Sequence, residues 1–405
     1  MTLVLLCAVF AVHFLDRQLL AILIPPIKAE LALSDTALGL LSGFALTVML
    51  STVGLVIARL ADRADRARII TWSLALFSAM TALCGLATGF WQLLAARVGV
   101  GIGEGGTNPA SHSLIADLFP THQRAAAMST YSIGPHAGLV LAFGLGGWLG
   151  QTVGWRAPFV IVGAMGLLLA LVTRVGLRDP RPAGWSQAVT PVPWATVVGS
   201  MLRSRVLRHL VAGGTLGTAA ALGLVTWLPA LLTRVHGYTL AQSGLALALA
   251  FGLGGAIGTY LFGRCADAAG RSDISRKPGL VGGCQLLLAA LWCLALLVQD
   301  PRIALAALLV PCLLTGAYVG PTLALVQDVV DPRTRAFSAA VLLLVVNLVG
   351  GGAGPLAVGM LSDALHGAFG VQSLRYALLA MPLFFAWSAF HYARAAAGLA
   401  GESRP

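Results

Sequence analysis

An aspartate and an arginine stand side by side inside an oily segment: MTLVLLCAVFAVHFL runs into Asp16 and Arg17, and apolar LLAILI soon follows. An ionised side chain at the centre of a membrane-spanning helix costs about 2.5–3.5 kcal/mol even on the gentler insertion scales, so the pair needs a partner, a wet cavity or a task. A second acid, Glu104, is alone in the apolar run VGVGIGEGG, and Arg97 precedes it by two helical turns on roughly the same face. Burial favours a neutral carboxyl and a nearby cation favours an ionised one. An acid carried between wet and dry surroundings can therefore load and release a proton. Asp16 and Glu104 are the candidate proton carriers. The competing reading is a permanent ion-pair network that staples helices together.

Two roles are open to Arg17. Its planar, always charged guanidinium suits bidentate capture of a phosphate or carboxylate, and it also suits service as a counter-ion to Asp16. Arg97 and His112 are further first-half candidates for substrate contact, with a structural role open to each. His13, His112 and His136 can relay protons near neutral pH or act as hydrogen-bonded packing residues. In the second half, Trp227, Tyr318 and Asn347 are candidate cavity residues, each balanced against plain packing.

The elements that must carry these residues follow from composition. Of 405 residues, 58% are hydrophobic and 10% are charged, where a soluble domain carries roughly 25% charge. A water-soluble globule is excluded. The 48 glycines are spread through apolar runs, as expected of helices packing closely in lipid. Apolar runs bounded by charge, Pro or Gly give twelve spans near 3–27, 36–58, 69–88, 91–118, 125–150, 156–176, 206–233, 240–262, 279–298, 302–328, 337–361 and 373–394. The N-terminal stretch lacks a basic leader region and reads as a retained first helix. The six cysteines fall almost all in apolar runs without metal-ligand spacing, so they read as small core residues with no disulfide.

Charge sorts across these spans. With them in place, 19 of the 26 Lys and Arg fall on one set of loops and the C-terminal tail, which puts both termini in the cytoplasm. The net charge of +11 belongs to this loop pattern, and no nucleic-acid partner is expected. The halves repeat: ARLADRADR (58–66) corresponds to GRCADAAGR (263–271), LSDTALG (33–39) to YTLAQSG (238–244), and LIADLFPTHQRA to LVQDVVDPRTRA. Two six-helix bundles, 1–177 and 206–396, with a linker at 178–205 and a tail at 397–405, are the simplest account. At the cytoplasmic helix ends Asp62, Arg63 and Arg66, and Asp117 with Arg124, can clamp the halves in one state of a cycle. The second-half equivalents are Asp267 with Arg271 and Asp328 with Arg335.

No nucleotide loop, metal cluster or nucleophile motif is present in the sequence, so no cofactor is expected. GIGEGG lies within a membrane helix with no preceding strand, which excludes a phosphate-binding loop.

These residues resemble the major facilitator superfamily. ARLADRADR is similar to its basic loop signature G-x-x-x-D-R-x-G-R: Asp62, Arg63 and Arg66 are in place, but Ala58 and Asp65 stand where glycines are usual. SIGPHAG partly resembles the antiporter signature. FLDR together with RVGVGIGEGGTNPASHSLIADLFP resembles the spinster branch, and within it bacterial members. The resemblance implies an all-α membrane fold of twelve helices in two pseudo-two-fold related bundles, working as a monomer in the bacterial inner membrane. It implicates the carboxylates at Asp16 and Glu104 in coupling, places Arg17 in the substrate cavity, and makes Arg97 more often a structural partner than a ligand. Members of the branch are linked to export of sphingosine phosphate and lysophospholipids. The expected activity is proton-coupled, alternating-access transport of an amphipathic anionic lipid. A drug or organic-anion permease of the same fold is the alternative, and a membrane-embedded lipid-modifying enzyme is a more distant one.

Overall fold

The computed structural model describes residues 1–61, 64–180, 194–271, 273–331 and 334–402. Secondary structure among them is entirely helical. In the first half the long helices are α1 (Thr2–Leu31), α2 (35–61), α3 (Arg66–Cys84), α4 (90–118), α5 (121–152) and α6 (Arg156–Gly176). A short helix, α7 (Trp194–Arg203), precedes α8 (Arg205–Arg234), α9 (Leu240–Gly270), α10 (Arg276–Leu297), α11 (Pro301–Val329), α12 (335–369) and α13 (373–402).

Ten described segments are long and apolar enough to cross a membrane as uninterrupted runs. The twelve expected crossings are recovered once two features are noted. The run Phe337–Gly401 holds both α12 and α13, which meet at a short 3-10 turn, Gly370–Gln372. And α4 is divided into Phe90–Glu104 and Thr107–Leu118, leaving neither piece long enough alone.

Local chemistry sets several helix starts. Asp65 caps α3 by accepting from the Arg68 N–H at 3.1 Å, and Asp300 caps α11 through the Arg302 and Ile303 N–H groups. Thr239 and Gln242 form a reciprocal capping box at the start of α9. Inside the crossings the helical hydrogen bonding is interrupted. Single π-helical turns occur at Leu40–Phe44 in α2, Leu141–Leu145 in α5, Ala248–Gly254 in α9 and Val346–Gly351 in α12. Each contains glycine, and such turns recur at functional positions in helices.

The chain divides into two compact units: Met1–Val189 with Leu232–Gly252, and Thr190–Leu231 with Leu253–Pro405. In the first unit glycines let helices approach backbone to backbone. A Cβ at Gly134 would meet the Cys7 carbonyl of α1 at 2.7 Å, and one at Gly163 would meet the Ser78 carbonyl of α3 at 2.6 Å. In the second unit, a Cβ at Gly350 of α12 would come within 2.6 Å of the Thr215 carbonyl of α8. Trp227 of α8 is fully buried there and donates to the Pro355 carbonyl at 2.8 Å. Without a hydrophobic drive between helices in lipid, close contacts of this kind supply much of the association energy.

Candidate functional site

Helices α1, α3 and α4 of the first unit bring the two intramembrane acids into one buried cluster. Asp16, Arg97 and Glu104 are each 0% exposed and His13 is 1% exposed. Arg97 donates from Nη1 to Asp16 Oδ2 at 2.9 Å, and Thr81 Oγ1 donates to Asp16 Oδ1 at 2.5 Å. Glu104 Oε2 lies 2.8 Å from His13 Nε2. That pair is at ion-pair distance without the alignment of a hydrogen bond, and neither atom has a hydrogen-bond partner among the described residues. Arg97 Nε and Nη2, Glu104 Oε1 and His13 Nδ1 are likewise buried without one.

Glycine places Glu104 where it is. A Cβ at Gly103 would sit 2.6 Å from the Phe77 backbone nitrogen, one at Gly101 would sit 2.7 Å from the Leu46 carbonyl, and one at Gly105 would sit 2.8 Å from the Gly54 nitrogen. The GIGEGG run thus lets α4 press against α2 and α3 while its helix breaks just after the acid. The pairing also departs from the sequence expectation. Asp16 is held by Arg97 rather than by its neighbour Arg17, and Glu104 faces His13 rather than Arg97.

Arg17 is only partly buried, with its Cζ 5.9 Å from the centre of the Phe14 ring. It makes no ion pair among the described residues. It therefore keeps a charged, multi-donor head group available one residue from the buried pair. His112 is exposed and meets Tyr131 edge-on, at 5.4 Å between ring centres. Partly buried His136 leaves Nδ1 without a hydrogen-bond partner. In the second unit Tyr318 is buried, with its hydroxyl 2.6 Å from Thr218 Oγ1. Asn347, within the π-turn of α12, donates to the Leu343 carbonyl at 2.8 Å. Trp227, Tyr318 and Asn347 thus each have an intramolecular partner.

Of the helix-end charges, Asp62 and Arg63 lie outside the described residues. Arg66 is fully buried and ties three elements of the first unit together. Its Nη1 donates to Asp117 Oδ2 at 2.7 Å and to the Ser113 carbonyl at 2.9 Å, while Nε and Nη2 hold Asp179 at 2.8 and 2.5 Å. Asp117 is thus engaged by Arg66, and Arg124 turns to the Phe119 carbonyl at 3.0 Å. The expected second-half pairs do not form: Asp328 pairs with Lys277 at 3.0 Å instead of Arg335. Asp267 and Arg271 are both exposed and unpaired with one another.

Two acids in such networks escaped the sequence reading. Asp179 sits in what reads as a linker. Asp35, buried near the start of α2, receives Lys28 Nζ at 2.5 Å and Arg234 Nη1 at 2.8 Å. The available signal was scarcity: with only 15 acids in 405 residues, each acid flanking a membrane helix is a candidate partner for a cation.

Residues 6–355 match the Major Facilitator Superfamily. This chain belongs to that superfamily. It is accordingly a multi-pass membrane transporter and not an enzyme. As a superfamily member it is 36% identical over 379 residues to an MFS-type efflux pump of Mycolicibacterium smegmatis, covering 92% of this chain and 87% of that protein. It is also 26% identical over 406 residues to a D-galactonate transporter of Escherichia coli, covering 90% and 89%. A crystal structure of a bacterial homolog to the human lysosomal transporter Spinster, inward-facing and unoccupied, superposes with a TM-score of 0.87 at 28% identity, covering 100% of this chain and 98% of that one. Within the superfamily, the acids in α1 and α4 are the features of this chain that call for a functional account.

Proposed function

We propose that this transporter moves an amphipathic, anionic lipid, of lysophospholipid or sphingosine phosphate type, coupled to protons. The observation that carries the reading is the buried cluster itself. Two carboxylates, an arginine and a histidine share a site where several donors and acceptors find no partner among the described residues, beside the partly buried Arg17, which makes no ion pair among them. A purely structural staple would be expected to satisfy its members, because an unmet buried polar group costs about 1–3 kcal/mol and a charged one more. The structural likeness to the Spinster homolog accords with the spinster resemblance of FLDR and the GIGEGG helix, and that branch's link to lysophospholipid export supports a lipid substrate.

In this reading Asp16 and Glu104 carry protons. Protonation of Asp16 weakens its hold on Arg97 and removes a negative charge beside Arg17, which captures the anionic head group. Proton and substrate then favour each other's binding at Asp16, since coupling between sites is reciprocal. Exchange would require Glu104 to compete with the anion. Alternating access moves bundle 1–177 against bundle 206–396 about the linker 178–205, with both termini in the cytoplasm of a bacterial cell and the helix-end charges, Asp62 and Arg63 among them, biasing one state. The protein works as a monomer. His112 and Asn347 contribute cavity surface, Trp227 and Tyr318, buried and partnered within the second unit, support it from behind, and Arg97 acts through Asp16.

A second reading, a drug or organic-anion permease, is favoured by the identity to the mycobacterial efflux pump. Flux in liposomes containing the purified protein separates the two. Lysophospholipid movement that accelerates with an imposed pH gradient is expected. Movement of organic anions or drugs without lysophospholipid flux would establish the second reading instead.

A further inference from the structure

The second unit contains an apolar groove of about 410 Å³, within the roughly 300–1,000 Å³ of ordinary ligand sites. Helices α7, α8, α12 and α13 build it, and Met201, Ala212, Val345 and Trp387 represent each in turn. Arg208 and His391 border it as well, almost entirely through their apolar atoms.

The short helix α7 roofs this groove. Val197 and Met201, one turn apart, are buried in the core of the second unit, while the next residue, Leu202, is 62% exposed. Trp387 opposite is 56% exposed. The groove thus has greasy, accessible edges on the short helix α7 and on the membrane-crossing α13, as a site loaded sideways from lipid requires.

Its charge has one sign. Arg208 borders the groove, Arg205 stands one turn before His209 on α8 and Arg394 one turn after His391 on α13, and His209 Nδ1 lies 2.9 Å from Nδ1 of His391 on the groove wall. No acid occurs between Asp179 and Asp267, or between Asp363 and Glu402. Helices α7 and α8 therefore contain no carboxylate, α13 has none before Glu402, and the acid of α12, Asp363, stands about five turns beyond the groove residue Val345. A neutral apolar occupant leaves this cluster of three arginines unanswered, while a phosphate anion attached to an alkyl chain answers both the wall and the mouth.

We propose that this groove is a binding site for an anionic membrane phospholipid, distinct from the buried acid cluster of the first unit: one acyl chain lies along α8 beneath α7, and the phosphate meets Arg208 with Arg205 and Arg394. The occupant is a bilayer lipid, and a free phosphate lacks the chain that the apolar wall selects.

Trp387 provides the readout. The full-length protein is placed in bilayers containing phosphatidylglycerol or phosphatidylcholine with brominated chains, and the Trp387 signal is taken as the difference from Trp387→Phe. Quenching should half-saturate at a several-fold lower mole fraction of the phosphatidylglycerol. Arg208→Gln with Arg394→Gln should bring the two curves together, Ala212→Phe should abolish the saturable component, and inorganic phosphate should displace nothing. Equal quenching by the two lipids in the native protein, or an undiminished preference in the exposed arginine variant, would overturn the assignment whether or not Ala212→Phe folds.

Discussion

Arg97 in α4 donates to Asp16 in α1 across 2.9 Å, and neither side chain reaches solvent. Removing one member of a buried pair strands the other. Arg97→Met should therefore destabilise the protein by about 3–5 kcal/mol. Asp16→Asn combined with Arg97→Met should recover most of that loss, because no charge remains uncompensated. Unfolding midpoints in detergent for the singles and the double test the pair as a cycle. A native-like midpoint for Arg97→Met would show that the contact does not hold α1 to α4.

Coupling makes a separate demand on the same acid. Asp16→Asn resembles the protonated form, so it should still bind substrate and support exchange across liposome membranes while losing acceleration by a pH gradient. Normal gradient dependence in this variant would make the carboxylate structural and leave Glu104 as the carrier.

Arg17 should behave differently from Arg97. Its guanidinium makes no ion pair among the described residues, so Arg17→Ala should leave the unfolding midpoint nearly unchanged. Substrate binding should weaken about tenfold or more at every pH, the loss of a charge-assisted contact worth about 1.5–3 kcal/mol. Titration of lipid binding at two pH values checks this; a loss of stability without a loss of affinity would make Arg17 a packing residue.

Gly103 links the fold to the site. An added methyl would meet the Phe77 backbone at 2.6 Å, where no side-chain rotation can relieve the clash. Gly103→Ala should cost about 1–3 kcal/mol and reduce gradient-driven flux by drawing Glu104 away from His13. Unfolding and flux measured together decide it, and a variant equal to the native protein in both would show that α3 and α4 tolerate separation.

Arg66 tests the helix-end network. Its two carboxylate partners and the Ser113 carbonyl call for a forked, planar donor, and a lysine ammonium cannot reach them all. Arg66→Ala should cost about 3 kcal/mol, since Asp179 is nearly as buried as its partner. Arg66→Lys should restore less than half. Full rescue by lysine in thermal unfolding would show that charge alone matters there.

Much of this protein is legible without coordinates. Twelve apolar runs, the arginine bias of alternate loops and the internal repeats are one-dimensional signals, because hydrocarbon thickness fixes the length of every span. Asp16 and Glu104 stand out for the same reason: a charge in lipid is costly whatever it is packed against. Which partner each acid takes is a different kind of fact. Asp16 sits 81 positions from Arg97 and Arg66 sits 113 from Asp179, and those distances close only when particular helices become neighbours. Adjacency in sequence left Arg17 open as a counter-ion for Asp16, yet successive residues on a helix point about 100° apart, so only one of them can face α4. The glycines of GLVLAFGLGGWLG in α5 and GGGAGP in α12 suit close packing or a bend alike, and the π-helical turns there, those in α2 and α9 and the break after Glu104 were not decided by sequence, since a glycine in an apolar run permits a straight helix as readily as a distorted one. The sequence by itself determined that charge lies within the membrane and on which helices. Tertiary packing decided how that charge is paired and which arginine is left over, because pairing depends on the few ångströms between helices that glycine allows.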